Sequence, residues 1–366
     1  MRRDLVAGAV VAGGAVTALL LEGPRGRQSL VIGVVAGSGY GLIALGLVLV
    51  YKSSGIFNFA QGEFGTLAVF GLWWAHSVGV PYGFAMLVGL AAALAAGLAT
   101  ERVVVRPLFD APRVTLLVAT AGVSLLAIGT ELWLGQARLR FLAPALRRLD
   151  RVSVFGFAVS DQRLLVIATV AALAVAGAFF FTRTDLGLAI RGLSQNPMAT
   201  ELMGISAERL SRFTWGAAAV LGGLGGILSA PLAGGFGPGF VTVSALIPAF
   251  AAAVLGGMTS LPGALLGGIV VGVVESVAVT FPVFSDHIPG APSVMVFALL
   301  VAVLAFRPQG LLGHRSESAS PAGGWTMPRW KAPTAKRPRV ALRHNWHAAA
   351  RTSATATNGV TNGAAN

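Results

Sequence analysis

The chain has 366 residues, of which 55% are hydrophobic and 11% are charged, and its mean hydropathy is +0.76. Soluble domains carry about 25% charged residues, so this composition excludes an ordinary soluble protein and indicates an integral membrane protein. The absence of cysteine from the sequence excludes disulfides and thiolate metal sites within the chain.

Apolar segments along the chain predict an all-α, polytopic membrane protein with about 8–10 transmembrane helices, because a hydrocarbon core of about 30 Å needs about 20 helical residues. In chain order the segments are Leu5–Leu21, Leu30–Tyr51, Phe64–Val80, Tyr82–Thr100, Val114–Leu134, Leu164–Thr182, Phe213–Leu232, Val241–Met258, Pro262–Phe281 and Ser293–Phe306. Pairs with GxxxG spacing predict close helix packing. They are Gly37/Gly41, Gly222/Gly226, Gly263/Gly267 and Gly268/Gly272.

The first segment, Leu5–Leu21, has two interpretations. It follows Arg2 and Arg3, and a charged start before an apolar stretch is typical of a signal peptide. No small-x-small cleavage site follows it, which favours an uncleaved anchor. We therefore expect residues 1–29 to form an extra N-terminal anchor and a short external loop, ahead of a main transmembrane domain at residues 30–313.

The stretch from Ser54 to Phe64 interrupts the apolar sequence after the second segment. It places the amides of Asn58 and Gln61 and the carboxylate of Glu63 among aromatic and small residues. Helices are broken inside a membrane where the backbone is shielded by protein or lines a cavity. We predict that these three residues shape a translocation pathway. The alternative for Glu63 is that it begins a helix, where a carboxylate suits the positive end of the dipole.

Two more carboxylates lie inside predicted spans, where an ionisable residue costs about 2.5–3.5 kcal/mol on insertion scales. Glu275 either lines the pathway or makes an interhelical hydrogen bond, and the sequence favours neither. Glu131 lies near Trp133 and the end of its segment, so we expect it at the membrane interface.

Arginine and lysine placement predicts the orientation. If the N-terminus is cytoplasmic and all segments cross, most of the 27 basic residues lie inside, and both termini are cytoplasmic. Residues 135–163 then lie outside despite their six arginines, and we interpret them as a small external subdomain.

Residues 183–212 form the longest loop predicted on the cytoplasmic side. Within it Asn196 is a good N-cap, Pro197 suits the first helical position and Gly204 is a natural stop, which together predict a short helix over Pro197–Met203. Met198 and Leu202 give this helix an apolar stripe. Such a stripe needs a groove on a partner, or else it lies on the protein's own membrane helices.

The net charge of +13 does not indicate nucleic-acid binding, because nine basic residues lie in the tail after Phe306. Residues 314–366 are rich in Pro, Ala, Ser, Thr and Gly, and we expect a disordered cytoplasmic tail at the anionic leaflet, with partner docking as the alternative. No GxxxxGK[ST] motif surrounds any of the three lysines, so the chain has no P-loop of its own. The five histidines form no metal or catalytic pattern.

Four blocks in the same order resemble LivH-type permeases, the membrane subunits of branched-chain amino-acid ABC importers, over roughly residues 30 to 313. They are Gly41–Glu63, Arg191–Ile205, Ala251–Ala264 and Phe306–Gly313. Gln61 departs from the histidine common in the first block.

The resemblance implies an ABC importer permease fold in a bacterial inner membrane. It implies a second permease subunit, two cytoplasmic ATPases that bind ATP, and an extracytoplasmic substrate-binding protein, with no cofactor in the chain itself. The substrate implied is a branched-chain amino acid, although related permeases carry urea or amides. The implied ATPase-coupling residues are Asn196, Pro197, Met198, Ala199, Leu202, Gly204 and Ile205. The rival class is an ion-coupled secondary carrier, which needs carboxylates or broken helices in both halves of the chain.

Overall fold

The computed structural model describes residues 23–109, 111–135, 137–145, 152–154, 157–307 and 309–312. The predicted anchor Leu5–Leu21 and the predicted tail at 314–366 lie outside the described residues.

Helices dominate the described residues, as the apolar segments predict. In chain order they are α1 Pro24–Ser54, α2 Gln61–Ser77, α3 Tyr82–Thr100, α4 Arg113–Gly135, α5 Asp161–Arg183, α6 Asp185–Gln195, α7 Pro197–Leu202, α8 Ala207–Ser229, α9 Ile247–Gly256, α10 Leu261–Thr280, α11 Pro282–Ser285 and α12 Ala291–Phe306. Single π turns extend α3 over Glu101–Val105 and precede α9 over Thr242–Leu246, and a 3-10 turn at Ala230–Leu232 follows α8.

Six of these helices are long and apolar enough to cross a membrane, namely α1, α3 with its π turn, α4, α5, α8 with its 3-10 turn, and α10. Three other predicted segments correspond to shorter helices: α2 with 17 residues, Thr242–Gly256, and α12 with 16 residues. The chain is therefore a multi-pass helical membrane protein.

Helix α1 begins at Pro24, six residues before the predicted start at Leu30. Pro24 suits the first turn of a helix, because its missing N–H would be unpaired there and its φ is already helical. Residues 24–29, which we expected in a short external loop, are therefore helical. The 31 residues of α1 span about 46 Å, which exceeds a hydrocarbon core of about 30 Å.

The core has two parts that share α1 and α8. One cluster of buried side chains joins α1 to α9 and α10, and the other joins α2, α3 and α8. Helices α4 and α5 lie at the periphery, with most of their apolar length exposed.

Glycines bring α1 and α10 into backbone contact, as the GxxxG spacing predicts. A Cβ atom at Gly37 would lie 2.7 Å from the Cα atom of Ile269, and one at Gly268 would lie 2.6 Å from the Gly37 carbonyl oxygen. No side chain fits in either place, so the two helix axes approach as closely as glycine allows.

The segment predicted as an external subdomain contains a small hairpin, in which β1, Val152–Val154, pairs antiparallel with β2, Phe157–Val159. Earlier in the same segment, Arg140 forms a two-bond bridge with Phe236, and both N···O distances are 2.9 Å. The Arg140 guanidinium lies over the rings of Phe70 and Trp73, 5.2 and 4.8 Å from their centroids. These contacts attach the segment to α2 and to the chain that follows α8.

Candidate functional site

The predicted break between the second and third apolar segments is present. Helix α1 ends at Ser54, and Gly55, with a φ of 67°, donates its N–H to the Tyr51 carbonyl at 2.8 Å. Helix α2 begins at Gln61, so residues 55–60 are not part of either helix. The left-handed conformation at Gly55 turns the chain out of α1 and favours glycine at this position.

Asn58 and Gln61 hold the break in shape. The Asn58 Oδ1 atom accepts from the Ala60 N–H at 3.0 Å, and its Nδ2 atom donates to Gln61 Oε1 at 3.3 Å. Gln61 Nε2 then donates to the carbonyl oxygen of Ala218 on α8 at 2.8 Å. Both amides are fully buried in the protomer. Their direct effect is to tie the break to α8.

Two glycines provide the space for the Gln61 side chain. The nearest neighbour of a Cβ atom at Gly46 on α1 would be Gln61 Nε2, and a Cβ at Gly222 on α8 would lie 2.8 Å from the same nitrogen. Gln61, which departs from the histidine common in the family motif, therefore lies between α1 and α8, and a glycine on each helix leaves room for its side chain.

Glu63 lies in the first turn of α2, which agrees with the alternative that it begins a helix. Its carboxyl is also buried beside other polar groups. Its side chain is 1% exposed, and neither carboxyl oxygen accepts a hydrogen bond from the described residues. The groups beside it are the carboxyl of Glu131 and the hydroxyls of Thr66 and Thr242.

Glu131, which we expected at the membrane interface, is buried within the protein. It is 5% exposed, it faces Glu63, and its Oε2 atom accepts from the Gly239 N–H at 2.8 Å. Sequence reasoning missed this pairing because the two carboxylates come from helices far apart in the chain. Proximity to Trp133 and to the segment end was a misleading signal, since Trp133 is itself exposed.

A second irregular segment, residues 233–239, lies beside the break. Together with the helical residues that follow it, this segment runs along α2, from the ring contact of Phe236 with Phe70 to the hydrogen bond of 3.1 Å between the Val241 N–H and Thr66 Oγ1. A Cβ atom at Gly62 would lie 2.7 Å from the Thr242 Cα atom, so the segment closes tightly on the start of α2. The start of α2, which follows the first break, and the end of the second irregular segment therefore come together near Glu63.

Aromatic rings cover one side of the break. Phe57 lies 5.1 Å from Tyr51 and 5.3 Å from Phe250 between ring centroids, and Phe59 stacks on Phe250 at 6.5 Å. All four side chains are partly or largely exposed. They form an apolar surface next to the break, which we call the aromatic patch.

Glu275, the remaining pathway candidate, lies on α10 opposite Tyr40 on α1, and the phenol and the carboxyl interact. It is half-buried and lies away from Glu63, on the other part of the core. The contact with Tyr40 supports the interhelical alternative.

The short helix in the loop at residues 183–212 has the predicted caps. Asn196 Oδ1 accepts from the Ala199 N–H at 3.0 Å, and Pro197 begins the helix. The helix ends at Leu202, one residue earlier than predicted, and Gly204 has a φ of 82°. The Gly204 and Ile205 N–H groups then bond back to Glu201 and Thr200.

The apolar stripe of α7 faces outward and does not lie on the protein's own helices. Met198 is 61% exposed, Leu202 81% and Met203 76%. The opposite side holds the loop in place, because Thr200 is buried and Ile205 packs against Ile190, Leu193 and Leu210. We call the exposed side chains of Met198, Leu202 and Met203 the α7 patch.

Ion pairs join the ends of α3 and α8 near this loop. Arg106 bonds to Glu101 at 3.1 Å and also pairs with Glu208, which Arg212 contacts at 2.8 Å. The start of α8 also reaches α1, since the Thr214 hydroxyl donates to the Ser53 hydroxyl at 2.7 Å. One hydrogen bond thus connects α8, the helix that supports the loop, with Ser53, the second-last residue of α1.

Comparison with known proteins agrees with this architecture. A family model for the permease component of the branched-chain amino acid transport system matches residues 29–304. BraD from Pseudomonas aeruginosa, a high-affinity branched-chain amino acid transport permease protein, is 32% identical over 300 residues, covering 78% of this chain and 95% of the relative. LivH from Escherichia coli K12 is 27% identical over 302 residues, with the same two coverages.

Among solved structures, PsaBC from Streptococcus pneumoniae in complex with Fab covers 83% of this chain and 95% of its own, at 12% identity and a TM-score of 0.43. The family match covers most of the chain and extends over both irregular segments, the carboxylate pair and the loop that carries α7. The chain therefore belongs to the family of permease components of branched-chain amino acid transport systems.

Proposed function

We propose that this chain is one of two permease subunits in a binding-protein-dependent ABC importer for branched-chain amino acids. Two separate cytoplasmic ATPases drive the importer, and an extracytoplasmic binding protein delivers the substrate. The observation that carries the proposal is the α7 patch, an apolar surface on a rigidly held loop of a chain without a P-loop.

The α7 patch fits a groove on an ATPase subunit. Isolated helices shorter than about 12 residues are marginal in water, so a six-residue helix with three exposed apolar side chains gains stability from a partner. The buried contacts of Thr200 and Ile205 fix the direction of the patch. A movement of the ATPase would therefore displace α6 and α8 and would not be absorbed by deformation of the loop.

The contacts between the loop and the break provide a route for that movement. Helix α6 packs on α1, and the Thr214 hydroxyl of α8 joins Ser53 at the end of α1. One turn further along α8, Ala218 holds Gln61 at the start of α2. A shift of α8 relative to α1 therefore acts on both ends of the break.

The aromatic patch is an argument that the substrate is apolar. Tyr51, Phe57, Phe59 and Phe250 present ring faces and edges, and no charged side chain is part of the patch. Branched aliphatic side chains lose water on such a surface, which is favourable in proportion to the area covered. Asn58, Gln61 and Glu63 lie behind the patch and fix its position, and Glu275 serves α1–α10 packing.

Both termini are cytoplasmic in our proposal, and the membrane is a bacterial inner membrane. The contacts at the helix ends support this topology. Lys52 in the last turn of α1 donates to the Thr259 carbonyl between α9 and α10 at 2.9 Å, and Gly310 and Leu311 pack on the end of α9. All these residues belong to the side that the basic residues assign to the cytoplasm.

The experiment is uptake by the importer reconstituted in proteoliposomes with its ATPases and binding protein. Leu202→Asp places a charge in the α7 patch, so we expect ATP-driven uptake of leucine to fall at least tenfold while the permease still inserts. Leu139→Asp is the matched control, because Leu139 is also a largely exposed leucine and lies in the segment predicted to be external. Full uptake by Leu202→Asp would refute the ATPase contact.

A secondary carrier is the second candidate, and one observation favours it. The segment at residues 233–239 supplies, in the second half of the chain, the second break that such a carrier needs, and its Gly239 N–H bonds to the buried Glu131. The two functions differ in their energy source. Uptake that requires ATP inside the vesicles and persists without ion gradients identifies the importer, whereas uptake by the chain alone under a gradient identifies the carrier.

A further inference from the structure

The buried carboxyls of Glu63 and Glu131 lie together where the two irregular segments meet. Glu63 extends from the first turn of α2, and Glu131 extends from α4. The Gly239 N–H donates to Glu131 Oε2, but both oxygens of Glu63 and the Oε1 atom of Glu131 are buried without a donor among the described residues.

Among the described residues, no cationic side chain faces this pair. The groups facing Glu63 are Glu131 from α4, Thr66 from its own helix and Thr242 from the π turn before α9. Those facing Glu131 are Glu63 and the Gly239 N–H. The buried Thr242 hydroxyl faces Glu63 and can donate to its carboxyl, whereas Thr66 already donates to the Gly62 carbonyl. In the part of the chain that the structure describes, the polar neighbours of the two carboxyls are therefore hydroxyl and amide dipoles.

Two ionised carboxylates in contact repel each other, and each can only accept hydrogen bonds. Away from water and without a cation, the repulsion is not screened. One proton removes the conflict, because the protonated carboxyl donates to its partner and the pair then carries a single charge. We propose that Glu63 and Glu131 bind one proton between them, and that this protonated pair joins α2 to α4 at the meeting point of the two irregular segments.

The pair also controls the second irregular segment. Glu131 holds Gly239, Thr66 holds Val241, and both side chains adjoin Glu63. A proton on the pair keeps α2, α4 and residues 239–241 together. Loss of the proton leaves two adjacent anions, whose repulsion separates α2 from α4 and releases the segment. The proton is exchanged with solvent and no other bond is formed or broken.

Infrared spectroscopy of the assembled transporter tests the proton directly and independently of transport. The wild-type spectrum should contain a carboxylic-acid band that shifts in heavy water. Glu63→Gln and Glu131→Gln should each abolish that band, because the remaining carboxylate then accepts from an amide and needs no proton. Glu275→Gln is the control and should retain the band. An acid band that survives in both pair variants overturns the proposal.

Uptake by the same variants tests the joining role. An amide at either position still donates a hydrogen bond, so both glutamine variants should assemble and take up more substrate than the alanine variants at the same positions. Alanine at either position removes the hydrogen bond and should lower uptake at least tenfold. Equal uptake by the alanine variants and wild type, or failure of both glutamine variants to assemble, contradicts the proposal.

Discussion

Gln61 donates a hydrogen bond from its Nε2 atom to the carbonyl oxygen of Ala218 at 2.8 Å, and this bond ties the first residue of α2 to the middle of α8. The bond joins two helices 157 residues apart in sequence. It is buried, so its loss would leave a polar group without a partner away from water. Such a group costs about 1–3 kcal/mol. The shape of the break therefore depends on a contact that lies outside it.

Gly222→Ala should disturb this contact. The new Cβ atom would lie 2.8 Å from Gln61 Nε2 and 3.1 Å from the Gln61 carbonyl oxygen, so the amide has to move. We expect the permease to lose about 1–3 kcal/mol of stability, the usual range for overpacking, together with most of its uptake. Thermal unfolding in detergent measures the loss.

The control for that substitution is Gly122→Ala on α4, where a Cβ atom would meet nothing within 4 Å. It should leave the unfolding temperature unchanged or slightly raised, because alanine favours helix over glycine by about 1 kcal/mol. Equal effects of Gly122→Ala and Gly222→Ala would show that Gln61 does not need the space at Gly222.

Gly268→Ala should weaken the packing of α1 on α10. Its Cβ atom would lie 2.5 Å from the Gly41 nitrogen and 2.6 Å from the Gly37 carbonyl, and backbone cannot rotate aside as a side chain can. We expect a large loss of folded protein, measured as the monodisperse fraction after solubilisation. Gly177→Ala on α5 is the matched control, since nothing lies within 4 Å of its Cβ position. Similar yields from both variants would contradict the close helix contact.

Asn196→Ala should loosen the start of α7. The substitution removes the acceptor of the Ala199 N–H and should destabilise the short helix by about 0.5–2 kcal/mol. Because the α7 patch depends on that helix, we expect a several-fold decrease in ATP-driven uptake and weaker co-purification of the ATPases. Asn196→Asp is the control, since aspartate caps helices as well as asparagine does. If both variants transport alike, the cap has no role in coupling.

Features that depend on neighbouring residues were predicted from the sequence more successfully than features that depend on long-range contacts. The apolar segments, the break after Ser54 and the caps at Asn196 and Gly204 were correctly predicted, because each depends on a few neighbouring residues. The start of α1 at Pro24 was missed, although a proline after a glycine is a local signal for a helix start.

The carboxylate pair depends on long-range contacts and was not predictable in the same way. Glu131 looked interfacial because its partner on α2 and the Gly239 N–H are distant in sequence. The second irregular segment had one local signal, since Gly234, Gly235, Gly237 and Gly239 precede the eighth predicted span. Such a cluster indicates non-helical backbone, but it does not show that the backbone packs along α2.

Thr214→Val should weaken the coupling of ATP hydrolysis to uptake without lowering the stability of the permease. Thr214 is fully buried, and its hydroxyl bonds to Ser53 at 2.7 Å, one residue before the end of α1. Valine keeps the shape and removes the hydroxyl. Since Ser53 also donates to the Val50 carbonyl at 3.0 Å, its own hydroxyl keeps a partner. We therefore expect assembly and unfolding temperature close to wild type.

Uptake by Thr214→Val should nevertheless fall relative to ATP hydrolysis, because α8 no longer moves the end of α1 with it. The measurement is the number of substrate molecules taken up per ATP hydrolysed in proteoliposomes. Thr182→Val is the control, because the Thr182 hydroxyl is exposed and bonds only to carbonyls of its own helix, Ala178 at 2.7 Å and Phe179 at 3.4 Å. An unchanged ratio in Thr214→Val would contradict a role of the Thr214–Ser53 bond in coupling.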